Sequence, residues 1–77
     1  MDFASNYNSL GISLKKKGDF RRAEVYYRKA IEIAPEYPSP YHNLALLLDQ
    51  TGRREEAALL HRKHGSLKRI KMPDARA

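Results

Sequence analysis

The sequence contains no cysteine, which removes disulfides, thiolate metal sites and cysteine nucleophiles from consideration and says little about redox compartment. Its four glycines, Gly11, Gly18, Gly52 and Gly65, are isolated from one another, so no glycine-rich loop can cradle a phosphate. The longest uninterrupted apolar run is Leu44 to Leu48, far below the roughly 20 residues that cross a bilayer. A basic-then-apolar leader pattern is also missing from the N-terminus. The expectation is a soluble, cytoplasmic chain with no membrane span. Catalytic groupings are equally scarce. Ser39, His42 and Asp49 would share one helix face without the convergent second element a triad requires. Glu55 and Glu56 are adjacent and so about 100° apart on a helix, which suits a solvated first-turn pair better than an acid and base. Neither an enzyme nor a cofactor is expected.

What is present is a small, foldable composition. The 77 residues are 42% hydrophobic and 31% charged, enough for one small domain, and at that size a single core rarely supplies more than about 3–5 kcal/mol. The formal net charge is +6, and it is unevenly placed. Residues 1–37 carry seven basic and five acidic side chains, residues 38–65 four and three, and residues 66–77 four and one. This describes a basic tail on a nearly balanced body.

Shifting the sequence against itself by 34 positions aligns Ser5 with Ser39, Tyr7 with Tyr41, Leu10 with Leu44, Leu14 with Leu48, Gly18 with Gly52, Ala23 with Ala57, Arg28 with Arg62 and Lys29 with Lys63. A repeat of this length means stacked supersecondary units. Within each unit the spacing is helical: Tyr7, Leu10, Gly11 and Leu14 form one stripe, and Tyr41, Leu44, Ala45 and Leu48 repeat it. A second stripe follows, Phe20, Ala23, Tyr27, Ala30 and Ile31, then the weaker Ala57, Leu60, His64 and Leu67. Gly18 and Gly52 separate the stripes where a helix can end in a left-handed residue. Pro35 and Pro38 close the first unit, and Ser39 before Pro40 suits an N-cap. Glu24 and Arg28 are spaced as an ion pair, and Lys15, Lys16 and Lys17 meet the negative end of a helix dipole. The spacing predicts helices near 4–17, 20–34, 40–51 and 54–70.

The residues Tyr7, Leu10, Gly11, Leu14, Gly18, Phe20, Ala23, Tyr27, Ala30 and Pro35 make the first unit resemble the tetratricopeptide repeat family. The small residues Gly11, Ala23 and Ala30 fall where two helices approach closely. The second unit keeps Tyr41, Leu44, Ala45, Leu48, Gly52 and Ala57, but His61, His64, Gly65 and Arg69 replace Tyr27, Ala30, Ile31 and Pro35. The resemblance implies an all-α fold, two stacked antiparallel helix-turn-helix hairpins forming a fragment of a right-handed α-solenoid. Residues 4–37 are read as the first repeat, 38–71 as the second with a degenerate C-terminal half, and 72–77 as a basic, flexible tail. Such solenoids usually need about three repeats. A partial cap formed by Leu67 to Ile70 folding back, homo-oligomers through exposed ends, or membership of a longer array would each relieve this. Self-association is favoured because the run from Leu44 to Leu48 makes the third helix apolar nearly all round.

The resemblance also implies a non-catalytic scaffold that binds a protein or peptide in a concave groove lined by the first helix of each repeat. In the first unit the groove positions are Ser5, Asn8, Ile12, Lys15 and Lys16. In the second they are Ser39, His42, Leu46, Asp49 and Gln50. Ile12 and Leu46 would form an apolar stripe, with Lys15 suited to an acidic flank. The lysine and asparagine of the clamp that docks chaperone tails are replaced by Asn8 and Ile12, so that specialised role is disfavoured. Asn43 matches a groove asparagine common across the family and carries little weight. Residues 43–57 also resemble the repeats appended to glycosyltransferases. The alternative partner is an anion, RNA, DNA or an acidic surface, held by His61, Arg62, Lys63, His64, Lys68, Arg69 and Lys71. That segment lacks stacking aromatics, so nucleic acid is disfavoured. His61 and His64, one turn apart, lack a third ligand, and no metal site is expected.

Overall fold

A computed structural model describes residues 3–71, with side chains to residue 67. Four helices follow one another: α1 Phe3–Lys16, α2 Phe20–Ile33, α3 Pro38–Gln50 and α4 Arg54–Lys71. They form two antiparallel hairpins, α1 with α2 and α3 with α4, and α3 lies against all three of the others. No described residue is in a strand. The basic tail expected at 72–77 lies outside the described residues.

Both hairpin turns are the same device. Gly18 and Gly52 adopt φ of 87° and 83°, the left-handed region in which a Cβ is strained. In the first turn the Asp19 amide donates to the Leu14 carbonyl at 2.9 Å and the Gly18 amide to Lys15 at 2.9 Å. One period later Arg53 donates to Leu48 at 2.8 Å and Gly52 to Asp49 at 3.2 Å. These paired bonds satisfy carbonyls that the helix end leaves unpaired. Asp19 then caps α2, its carboxylate accepting from the Arg22 amide at 3.3 Å. At the junction between units the helix begins earlier than Ser39. Tyr37 is the N-cap, with an extended backbone, and Pro38 opens α3. Proline fits the first turn of a helix, where its missing amide would have no intrahelical partner, so Pro38 opens α3 with Pro40 still in the first turn and Ser39 falls inside.

The core gathers on α3. Leu44, Ala45, Leu47 and Leu48 are fully buried with Ala23, Tyr27 and Ala57, and Ile12, Leu14, Ile31 and Leu60 pack around them. The apolar run is therefore spent inside the chain, and only Leu46 remains exposed, at 38%. This removes the ground on which self-association through α3 was expected. Nor does the C-terminal segment turn back, since α4 continues unbroken through Leu67 to Lys71. Leu10 and Phe20, both on predicted packing stripes, are exposed. Leu10 has 47% of its surface open while its repeat equivalent Leu44 has none, because Leu44 has a preceding hairpin against it and Leu10 does not.

Across the two hairpins four charges close a ring. Glu24 accepts from Arg28 at 2.9 Å and from Arg53 at 2.8 Å, Arg53 reaches Glu56 at 2.6 Å, and Arg28 lies 3.6 Å from Glu56. Partial burial pushes the Glu24 carboxyl up, but the hydrogen bonds from Arg53 and Arg28 outweigh it and hold the group below its ordinary value. Each exposed pair contributes little alone. Their geometric effect is to tie α2 to the start of α4.

Tyr27, buried to 1% exposure, lays its ring on Gly11, where an added Cβ would stand 2.6 Å from Cε1. Because the ring is packed on its other side, it cannot withdraw. Gly11→Ala is expected to lower stability by about 1–3 kcal/mol through overpacking, even though alanine favours a helix interior by up to about 1 kcal/mol. Urea unfolding checks this; an unchanged or raised midpoint would show that the contact is slack.

Candidate functional site

The ten groove positions divide into four groups. Asn8 is buried, and its side-chain oxygen accepts from the Asn43 amide at 2.9 Å. It sits between α1 and α3, so it serves as part of the joint between hairpins rather than as an open contact. Ile12 is half-buried against the core. His42 and Asp49 are exposed but engage α4: the His42 and His64 ring centres are 5.1 Å apart, and Asp49 lies 3.1 Å from His61 Nε2. The remaining positions, Ser5, Lys15, Lys16, Ser39, Leu46 and Gln50, are half-buried or exposed.

The Asn8 and Asn43 pair explains why an asparagine at Asn43 is structural here. A buried amide needs partners, and each supplies the other across the seam. Among the described residues no buried side-chain polar atom lacks one. Tyr41 follows the same rule, donating from its hydroxyl to the Pro35 carbonyl at 2.7 Å. Between α1 and α2 of the first hairpin, Tyr7 and Tyr26 stack at 5.8 Å with 19° between their planes.

The contact between His42 and His64 was not foreseen, yet the repeat contains its signal. Gly11 faces Tyr27 across the first hairpin. One turn back along α1 and one turn on along α2, that register sets Asn8 opposite Ala30. A shift of 34 residues converts this pair to His42 and His64. The two imidazoles considered from the sequence, His61 and His64, are instead directed to different partners on α3. For the anionic reading, Arg62 and Lys63 are exposed, while the side chains of Lys68, Arg69 and Lys71 lie outside the described residues. No three metal-ligating side chains converge among the described residues, and no helix there is long and apolar enough to cross a membrane.

Two antiparallel helix pairs, glycine turns one period apart and a shared core at the seam define a helical-repeat protein. Tetratricopeptide repeat models match residues 4–37 and residues 26–64, the second covering more than half of the chain. The chain belongs to the tetratricopeptide repeat family. Over 54 residues it is 43% identical to an uncharacterized protein of Methanocaldococcus jannaschii, a match covering 70% of this chain and 63% of that one. Over 47 residues it is 40% identical to the sol locus transcriptional repressor of Clostridium acetobutylicum, covering 61% of this chain and 15% of the repressor. The match thus spans less than two thirds of either relative's length.

Asn8→Ala removes the acceptor for the Asn43 amide and is expected to cost about 1–2 kcal/mol. Asn43→Ala removes the donor of the same bond, so the double substitution should cost less than the sum of the two single ones. Strictly additive losses in denaturant titrations would mean that the hydrogen bond does not hold the hairpins together.

Proposed function

We propose that this chain, a member of a family whose repeats generally mediate protein–protein interaction as non-catalytic scaffolds, binds an extended or helical peptide along α1 and α3, with an apolar anchor beside Leu46 and an acidic flank at Lys15 and Lys16. The observation that carries this reading is the exposure of Leu46, the one member of the α3 apolar run left outside the core. Ile12, one period earlier on α1, continues the apolar strip at its edge. Lys15 and Lys16 occupy the last turn of α1, where they offer charge-assisted hydrogen bonds to a carboxylate. The accessible part of the trough is smaller than the ten positions expected, since Asn8 is sealed and His42 and Asp49 contact α4.

Peptides selected from a random display library on the intact chain should be enriched in an aliphatic or aromatic anchor next to acidic residues. Leu46→Asp should reduce their affinity at least about tenfold with helical circular dichroism unchanged. Retained binding by Leu46→Asp, or selected sequences without an anchor, would overturn the groove.

A second reading concerns copies of the chain itself and rests on the opposite end. Phe3 and Leu10 on α1 are 59% and 47% exposed, and Leu10 occupies the repeat position that a neighbouring hairpin covers at Leu44. Burying them against a second copy would cover this apolar surface. Sedimentation should show a mass above that of the monomer at high micromolar concentration, reverting to monomer in Leu10→Lys. A monomer throughout the range would remove this reading.

A further inference from the structure

All three histidines of the sequence lie on α3 and α4, and two of them meet across the hairpin. We propose that His42 and His64 form a two-imidazole site for a late first-row divalent ion of the zinc, nickel or copper(II) class. This goes beyond the peptide groove and does not depend on it.

Ring placement is the main support. Imidazole nitrogens bind zinc at about 2.0–2.1 Å, and two such rings on a tetrahedral ion have centres about 5 Å apart. The His42 and His64 centres are 5.1 Å apart, with 33° between their planes. Ligation therefore calls for rotation about side-chain bonds, with the backbone left where it is. That backbone is well fixed. His42 lies between the buried Tyr41 and Leu44, and His64 lies one turn from the buried Leu67. Both ligands stand on helices whose packing is already complete, so little ordering opposes capture of the ion.

The surroundings also suit an ion that keeps open positions. His42 is exposed and His64 half-buried, leaving one side of the pair accessible for entry and for water ligands. His61 and Asp49 already engage each other at 3.1 Å and are not required. No set of three metal-ligating side chains converges among the described residues, so the site differs from a structural zinc centre: two protein ligands on different helices, with water completing the shell, make it weak and exchangeable. Imidazole donors favour zinc, nickel and copper over magnesium or calcium, which seek oxygen.

The test uses the untagged full chain, titrated with zinc chloride by isothermal calorimetry, with magnesium chloride as the control. One zinc per chain and no magnesium uptake are expected. His42→Ala and His64→Ala should each weaken zinc binding at least about tenfold through loss of chelation, whereas His61→Ala should leave it within about twofold. In the unmodified chain, zinc should shift the imidazole resonances of His42 and His64 in heteronuclear NMR and spare those of His61, a readout independent of how the variants fold. Zinc binding unaffected by His42→Ala, or ring shifts on His61 and His64 together, would overturn the assignment. So would the absence of zinc binding.

Discussion

The contact between the Tyr27 ring and the bare backbone of Gly11 sets the geometry from which the rest follows. It brings α1 and α2 together and fixes which turn of one faces which turn of the other. Tyr27 also belongs to the cluster that receives α3, so the same side chain works inside the first hairpin and at the seam with the second. A large, stiff ring suits both tasks because it covers area on two sides with few rotatable bonds. The second hairpin solves the corresponding problem differently. His61 stands at the Tyr27 position but reaches outward to Asp49, and a fully buried Ala45 occupies the Gly11 position. Once the ring is gone from the hairpin interior, the backbone opposite it can carry a methyl group.

Those features whose cause is local were legible in the sequence. Gly18 and Gly52 had to be glycine because their backbone is left-handed. The pairing of Glu24 with Arg28 required only helical spacing. The four helices follow from apolar periodicity, and their ends fall within two residues of expectation. The start of α3 departs from expectation because Pro38 and Pro40 both fit the first turn of a helix, and the local signal does not choose between them.

Features that depend on a neighbouring hairpin were harder to read. Leu10 and Leu44 are the same residue at the same repeat position, and nothing local distinguishes them. One is exposed and the other sealed because only one has a hairpin before it. The converse applies to Asn8, whose polarity suggested an open groove. Its side chain is buried because Asn43 meets it from a helix 35 positions further along the chain. Of the candidate groove, Leu46, Lys15 and Lys16 keep positions compatible with a guest chain, while Asn8, His42 and Asp49 are taken up by contacts that a single-helix reading does not reveal. Arg53 was also overlooked, since its partner Glu24 lies in the other repeat.

The two ends of the stack consequently differ in chemistry although they derive from one repeating unit. At the α1 end, Phe3 and Leu10 present apolar surface that in the next unit would be covered. At the α4 end, the positions of Tyr27 and Ala30 have become His61 and His64, and Asn8 has become His42. Each change replaces a residue suited to packing under a further hairpin with one that tolerates water and makes directional contacts. Burying those imidazoles would require a protein partner for each ring nitrogen that water now serves, which disfavours stacking in the repeat's own register at this end. Among the described residues the two ends therefore offer different chemistry to a neighbour: apolar Phe3 and Leu10 on α1, and imidazoles together with an exposed Leu59 on α4.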